Sequence, residues 1–209
     1  MSNLINKYFT LSANQNKQIN MLFDLYRYWN NKVNLISRKD FEYFYERHVL
    51  HSLSICKVYS FHSNTRIMDL GTGGGFPGIP LAIMCPNVQF YLVDSIGKKI
   101  KAVESISKEL KLTNTIVLNK RAEDVDISFD FIVTRAVSKL SNLDKLTANL
   151  FKNNNKHNFN NGLICLKGGD LSLEMKGFNK RARLYLINDF FSEEFFDCKK
   201  ILHLDKKGA

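Results

Sequence analysis

The spacing of apolar residues changes once along the chain, near residue 65. Before that point, apolar side chains recur every three or four positions, which is the periodicity of one face of a helix. One such face carries Ile19, Leu22, Phe23, Tyr26 and Val33, and a second carries Phe41, Phe44, Tyr45, His48, Val49 and Ser52. The pattern predicts an N-terminal helical extension over residues 1–64, which must bury both faces against the segment that follows.

After residue 65, short apolar runs alternate with helix-compatible segments. Strands are predicted at 66–70, 88–94, 115–119, 129–134 and 162–167, and helices at 77–85, 97–111 and 141–151. This alternation is typical of a parallel sheet covered by helices on both faces. Two further runs, 183–187 and 200–204, have no helix between them, so they predict a terminal hairpin with one antiparallel strand. We therefore expect an α/β domain over residues 65–209.

The composition limits the kinds of protein that fit this pattern. The chain has 209 residues, of which 44% are hydrophobic, and this suits one α/β domain with a modest extension. The sequence contains neither an apolar stretch of membrane-spanning length nor a signal-peptide core, so we expect a cytoplasmic protein without a membrane partner. The four cysteines are scattered, which favours free thiols over a disulfide framework or a metal site.

The chain is strongly basic. Thirty Lys and Arg residues against twenty Asp and Glu residues give a formal net charge of +10. A protein with this balance is suited to binding a polyanion. A basic surface without a partner has the same charge count, so the charge indicates a class of partner and not a reaction.

A glycine-rich segment, residues 69–78, lies between the first predicted strand and the helix after it. Alternating glycines at positions 71, 73 and 75 permit positive φ and a close approach of a ligand, and the N-terminus of the next helix faces the same space. The dinucleotide-binding fingerprint G-x-G-x-x-G requires glycine where Phe76 stands. Alternating glycines after a strand-end acid are instead typical of methyltransferases that use S-adenosylmethionine (SAM). Many glycine turns are purely structural, so this segment alone does not establish a cofactor.

Polar residues follow the other predicted strands, at the edge where open parallel sheets bind ligands. The second strand ends in Asp94, which suits hydrogen bonds to ribose hydroxyls, capping of the next helix, or both. A cluster containing Ala122 and Glu123 follows the third strand, where an adenine edge could be recognised. The fourth and fifth strands end in Arg135 and Lys167. These two cations converge where a substrate would lie, although either could be an ordinary surface charge.

These segments resemble the glucose-inhibited division protein B family, whose members are small-subunit ribosomal RNA methyltransferases acting on guanine N7. The resemblance covers almost the whole chain, and it is carried by residues 29–30, 34–37, 47–50, 69–81, 92–95, 98–99, 121–123, 134–136 and 166–168. The Phe-Pro-Gly run at 76–78 and the Arg-Ala strand end at 135–136 are specific to the family. His51 departs from it, because many members carry an acid there, and the Asn-rich stretch 153–161 resembles a local expansion of a loop.

The resemblance implies a Rossmann-like class I SAM-dependent methyltransferase sheet with an N-terminal helical addition. It implies that SAM contacts Gly71, Phe76, Ala122, Glu123 and Arg135, to which the strand-end reasoning adds Gly73 and Asp94. The implied substrate is N7 of a guanine in 16S ribosomal RNA, either as naked RNA or in a small-subunit ribonucleoprotein. We expect a monomer.

The reaction chemistry gives a separate check. Methylation of a pyrimidine C5 needs a cysteine nucleophile, and methylation of an exocyclic amine usually uses an Asp-Pro-Pro-Tyr run; neither follows the fourth predicted strand. Guanine N7 already exposes a lone pair, so it needs placement and not a base. A cation can then bind O6 only, and we expect Arg135 or Lys167 to do so.

Other residues have two interpretations each. Phe76 could stack on an extruded base or pack against the cofactor. Trp29 and His48 lie among apolar neighbours, which favours the core, and Arg47 suits a phosphate contact or a helix-packing ion pair equally.

Three other functions fit part of the pattern. A SAM-dependent methyltransferase could act on another RNA, a protein or a small molecule. Transfer of a labelled methyl group from SAM distinguishes these alternatives by the molecule in which the label is found. A nucleotide-dependent oxidoreductase would bind a nicotinamide dinucleotide, which the spacing at Phe76 disfavours. A non-catalytic RNA-binding module would bind RNA and cofactor without forming a methylated base.

Overall fold

The computed structural model describes residues 3–135 and 138–208. Ala136, the last residue of the predicted Thr-Arg-Ala strand end, lies outside the described residues. The strands are β1 (Arg66–Leu70), β2 (Gln89–Asp94), β3 (Thr115–Asn119), β4 (Phe131–Arg135), β5 (Gly162–Gly168), β6 (Ala182–Leu186) and β7 (Lys199–Asp205). They form one sheet in the order β3-β2-β1-β4-β5-β7-β6.

The sheet has the predicted mixture of strand directions. Strands β1 to β5 pair in parallel, and β7 pairs antiparallel with both β5 and β6. The terminal hairpin therefore places β7 as the one antiparallel strand among those described. Every predicted strand is confirmed; β1 and β3 have the predicted boundaries, and those of the other strands differ by at most two residues at either end.

The helices are α1 (Asn3–Tyr8), α2 (Ala13–Asn30), α3 (Arg38–Phe41), a π-helix (Phe44–Leu50), α4 (His51–Leu53), α5 (Ile55–Val58), α6 (Gly78–Met84), α7 (Gly97–Glu109), α8 (Leu140–Thr147) and α9 (Ser172–Met175). Single 3₁₀ turns occur at Ala122–Asp124, Ile187–Asp189 and Glu194–Phe196. In the described parts of the chain, every helix is too short or too polar to cross a membrane.

Helix α2 confirms the first predicted apolar face. Ser12 caps its N-terminus in a capping box with Gln15, and Ile19, Leu22 and Tyr26 are buried. The prediction that Val33 lies on the same helical face is wrong, because α2 ends at Asn30.

The second predicted face is not one regular helix. It is divided between α3, the π-helix and α4. In a π-helix the hydrogen bonds join residues five apart. The buried pairs Phe44 with Val49 and Tyr45 with Leu50 have this spacing, so the wider turn keeps both pairs on the core side.

The sheet has a hydrophobic cluster on each face. Ile67 of β1 and Phe131 of β4 belong to the cluster that includes the N-terminal helices, whereas the next residues, Met68 and Ile132, belong to the opposite cluster with α8. This alternation follows from the two-residue repeat of a strand. Both faces are therefore covered, and the carboxyl ends of the parallel strands meet at one edge of the sheet, where open α/β sheets bind ligands.

Candidate active site

The glycine-rich turn after β1 is closed by the acid at the end of that strand. Gly71, Gly73 and Gly75 have φ of +66°, +56° and +91°, the left-handed region that favours glycine. The Asp69 carboxylate accepts a hydrogen bond from the Thr72 hydroxyl at 2.6 Å and from the backbone N–H of Gly78 at 2.8 Å. One side chain therefore joins the beginning of the turn to the first residue of α6.

Asp69 is fully buried, and one of its carboxylate oxygens, Oδ1, has no hydrogen-bond partner among the described residues. Burial raises the pKa of this carboxyl to about 6, because the charged form loses its hydration. The hydrogen bonds from Thr72 and Gly78 oppose this shift in pKa. Asp69 is thus a structural acid whose ionisation falls close to neutral pH.

Asp94 at the end of β2 also holds the turn. One carboxylate oxygen accepts from the backbone N–H of Gly73 at 2.9 Å, and the other accepts from that of Ile96, just before α7, at 2.8 Å. The N-cap of α7 is Ile96, with no side-chain cap hydrogen bond, so the helix-capping interpretation of Asp94 is wrong; its carboxylate instead holds the glycine turn and the residue before the helix. Each oxygen can accept a second hydrogen bond, so a ribose contact is compatible with both.

A crevice of about 360 Å³ opens beside these two turns. It is lined by Leu70, Gly71, Val93, Asp94, Ser95, Lys120, Arg121, Ala122, Glu123 and Leu146. Four predicted cofactor-binding residues, Gly71, Asp94, Ala122 and Glu123, are thus brought together by the ends of β1, β2 and β3. Apolar walls beside a carboxylate suit a ligand that has a flat ring and hydroxyl groups.

Two other predicted site residues, Arg135 and Lys167, line a second opening. A depression of about 330 Å³, which we call the basic depression, is lined by Asp40, Arg47, His48, His51, Arg135, Leu166, Lys167, Gly168, Phe195 and Lys199. Phe76 lines neither opening and is buried. Its ring packs against Tyr26 at 4.8 Å and His48 at 5.3 Å between ring centres, which fits the packing alternative for this residue.

Arg135 is a largely buried cation. Its guanidinium carbon lies 5.1 Å from the centre of the Phe76 ring. It donates hydrogen bonds to the carbonyl of Arg47 at 3.3 Å and to Nδ1 of His48 at 3.1 Å. Burial lowers the pKa of Arg135 to about 10, and nearby Asp69 opposes that shift. The group is still protonated at neutral pH, so a positive charge stands at the end of β4.

Lys167 lies in the same depression but already has partners. Its ammonium group donates to the carbonyl of Ser138 and to the carboxylate of Glu174, both at 2.7 Å. The side chain is 11% exposed and that of Glu174 is 23% exposed. The two predicted substrate cations therefore share one opening, and Lys167 already uses two of its three N–H donors on groups of the protein.

The sequence did not indicate how the N-terminal helices contact the glycine turn. The Tyr26 hydroxyl of α2 donates to the carbonyl of Gly74 at 2.6 Å. Leu35 covers the same residue, because a Cβ on Gly74 would lie 3.2 Å from that of Leu35. Asn30 shapes this loop by accepting from the backbone N–H groups of Leu35 and Ile36, both at 2.9 Å. The resemblance at residues 29–30 and 34–37 was the signal that could have predicted this contact.

Arg47, His48 and His51 lie beside the site. Arg47 makes the expected ion pair, with Asp40 at 3.0 Å, and a phosphate contact stays a prediction. His48 packs on Phe76, but its hydrogen bond to Arg135 goes beyond the expected core role. His51 is buried beside Phe195, where burial keeps its pKa well below the usual range. No cluster of three His, Cys, Asp or Glu side chains suited to a metal occurs within residues 3–135 and 138–208.

Comparison with known proteins assigns the chain to a family. A family model described as rRNA small subunit methyltransferase G matches residues 15–197. Proteins named ribosomal RNA small subunit methyltransferase G are similar over nearly their whole length. The one from Cytophaga hutchinsonii is 50% identical, covering 96% of this chain and 98% of the relative, and the one from Phocaeicola vulgatus is 49% identical, covering 98% and 99%.

Solved structures show the fold more broadly. A SAM-dependent methyltransferase from Aquifex aeolicus has a TM-score of 0.53 at 14% identity, covering 73% of this chain and 88% of the other. A precorrin-6y C5,15-methyltransferase from Geobacter metallireducens also has a TM-score of 0.53, at 9% identity, covering 75% and 87%. The fold is thus the Rossmann-like fold of SAM-dependent methyltransferases, as the sequence predicted. The match over residues 15–197 and the near-complete relatives show that the chain belongs to the rRNA small subunit methyltransferase G family.

Proposed function

We propose that this chain transfers the methyl group of SAM to N7 of a guanine in 16S ribosomal RNA. The observation that carries the proposal is the position of two openings at the carboxyl edge of the sheet. One, after β1, β2 and β3, has glycine, carboxylate and apolar walls. The other, after β4 and β5, is lined by cations. The first suits the cofactor and the second suits an RNA base.

The residues of the crevice fit SAM. The Gly71 backbone leaves room for close approach, Asp94 can accept from ribose hydroxyls, and Ala122 with Glu123 lies where an adenine would end. Gly73 contributes through its hydrogen bond to Asp94. The two remaining predicted cofactor-binding residues, Phe76 in the turn and Arg135 at the end of β4, do not line the crevice and would contact SAM from outside it. When bound, SAM supplies an electrophilic methyl group.

The basic depression fits an acceptor that needs no activation. Among the described residues, those that line the two openings include no cysteine, and the Cys165 thiol of β5 is buried, with its pKa raised to about 12 by burial. This disfavours covalent attack on a pyrimidine. Guanine N7 has a lone pair and loses no proton, so positioning against the methyl group supplies the catalysis.

Arg135 is the stronger candidate for holding the guanine through O6. Two of the five N–H donors of its guanidinium are engaged by Arg47 and His48 within the described residues. Lys167 is the second candidate, and its ion pair with Glu174 competes with the base for its charge. The substrate is 16S RNA or a small-subunit ribonucleoprotein, which the protein binds as a monomer.

The test maps N7-methylguanine in small-subunit RNA from cells with and without the gene, by cleavage at the modified base. We expect one modified guanine that disappears with the gene and returns with the wild-type gene. Label found instead in another RNA, a protein or a metabolite would contradict the proposed substrate. Binding of cofactor and RNA without formation of any methylated base would instead support the alternative of a non-catalytic RNA-binding module.

Single-turnover methylation at saturating SAM and RNA then separates the two cations. We expect Arg135→Ala to lower the rate at least about 100-fold, as loss of a positioning contact does. Lys167→Ala should lower it less, and Glu174→Gln should keep or raise the rate because it releases the Lys167 ammonium. Lys156→Ala, an exposed cation in the Asn-rich loop, is the control. Unchanged rates for both Arg135→Ala and Lys167→Ala would exclude both assignments.

A further inference from the structure

The guanidinium of Arg135 is held by two neighbouring residues of the N-terminal extension. The backbone carbonyl of Arg47 accepts from one terminal nitrogen at 3.3 Å, and Nδ1 of His48 accepts from the other at 3.1 Å. Both acceptors come from the π-helix, whereas Arg135 ends β4. The contact therefore joins the helical extension to the cation that we place against the substrate.

The chemistry of the pair fixes the protonation state of His48. An arginine side chain has only N–H donors and never accepts a hydrogen bond. Nδ1 of His48 must then carry a lone pair, so its proton resides on Nε2. A doubly protonated imidazolium would present a donor to a donor at 3.1 Å. His48 is therefore neutral and has one defined tautomer.

Burial and aromatic packing favour the neutral form of this ring over the imidazolium. The Nε2–H of this tautomer is buried without a partner among the described residues, so the ring is held by its Nδ1 contact and by packing. The ring lies 5.3 Å from that of Phe76 and 6.3 Å from that of Phe44, between ring centres. Burial and the nearby charge of Arg135 lower the pKa of His48 to about 3. The imidazole therefore remains neutral across physiological pH, packed by aromatic rings.

We propose that His48 is a positioning residue, which fixes the guanidinium of Arg135 through Nδ1 and so directs the remaining N–H donors at the target base. This inference rests on the proposed function, because it gives Arg135 its role there. It assigns the Arg-His pair at 47–48 a task in the reaction: the carbonyl of one residue and the ring nitrogen of the next set the orientation of a single cation.

The tautomer is measured directly by ¹⁵N NMR of protein labelled at histidine. The His48 signals are assigned by their loss in His48→Asn. We expect an unprotonated Nδ1 and a protonated Nε2 at pH 7, with no titration of His48 down to pH 5. In Arg135→Ala, which removes the donor, we expect the Nδ1 signal to shift. The proposal would be overturned by an Nδ1–H tautomer, by an imidazolium, or by His48 chemical shifts that are unchanged in Arg135→Ala.

Three substitutions test the positioning role in single-turnover methylation. Asn places its carbonyl oxygen at the same bond distance from Cβ as Nδ1 of histidine, whereas Gln places it one bond further away. We expect His48→Ala to lower the rate about tenfold, with SAM affinity changed less than about twofold, His48→Asn to recover most of the rate, and His48→Gln to recover little. Thermal unfolding of each variant reports whether it folds.

The outcomes are distinct. Equal losses in all three folded variants would mean that His48 only packs, and wild-type rates in all three would mean that Arg135 needs no acceptor there; either overturns the proposal. If the wild-type protein methylates no guanine, the proposed function fails. The NMR measurement still decides whether His48 holds Arg135 in that case.

Discussion

Asp69 is the side chain around which the glycine turn is organised, and its charge is sensitive to pH. In the folded protein burial raises its pKa from 3.8 to about 6. An acid with a raised pKa contributes stability that is fully present below the unfolded pKa and is lost as pH rises through the folded value. A shift of about two pKa units corresponds to about 3 kcal/mol.

We therefore predict a pH-dependent difference between the wild type and Asp69→Asn. Without ligand, the free energy of unfolding of the wild type relative to the variant should fall by up to about 3 kcal/mol between pH 4 and pH 6.5, and then level off. Urea unfolding followed by circular dichroism measures it. Asp126→Asn, the same change at an exposed carboxyl, controls for net charge. A difference that does not vary with pH would contradict the assignment to Asp69.

At the scale of residues, the sequence predicted which side chains meet at the edge of the sheet better than it predicted their hydrogen-bond partners. Asp94 and the Ala122-Glu123 pair could be expected to meet because parallel strands end at one edge of a sheet. The partners of Arg135 could not be expected, because Arg47 and His48 lie 88 and 87 residues before it in the chain. Periodicity indicates that His48 is buried, but it does not show which polar group the ring faces.

At the scale of elements, the strands were predictable and the π-helix was not. A strand needs only a short apolar run between turns, and the order of these runs gives the terminal hairpin. The π-helix carries its buried pairs five residues apart, which a 3.6-residue repeat fits only approximately. The division of the chain at residue 64 stays a prediction, since one core cluster includes Ile5, Ile19 and Ile201.

Helix α2 stabilises the glycine turn through one hydroxyl. We predict that Tyr26→Phe lowers the free energy of unfolding by about 1–3 kcal/mol, because the carbonyl of Gly74 loses its buried donor. The same variant should bind SAM more weakly, since the turn borders the crevice. Urea unfolding and calorimetric titration measure the two effects.

The control for Tyr26→Phe is two residues away on the same helix. Tyr28 is 55% exposed and its hydroxyl contacts Lys32, so Tyr28→Phe should change the free energy of unfolding by less than about 0.5 kcal/mol. Equal effects of the two substitutions would show that the contact with Gly74 adds nothing to the stability of the turn.

At the scale of the whole molecule, the net charge of +10 leads to a prediction about where RNA lies. The logarithm of the RNA affinity falls as the logarithm of the salt concentration rises, and each phosphate that a cation neutralises makes this slope steeper by about one. Lys199 lines the basic depression at the start of β7, opposite the last residue of β5. Lys156 is exposed in the loop before β5, at the other edge of the sheet. The two lysines therefore distinguish a localised RNA site from a diffuse basic surface.

We predict that Lys199→Ala weakens binding of small-subunit RNA and makes the salt dependence of the affinity less steep by about one, because a phosphate contact is lost. Lys156→Ala removes the same charge and should leave both quantities unchanged. Fluorescence anisotropy with a labelled RNA fragment, between about 50 and 200 mM salt, measures them. If both variants reduced the steepness of the salt dependence equally, RNA would be attracted by the positive charge of the whole surface. That result would contradict an RNA-binding site localised at the carboxyl edge of the sheet.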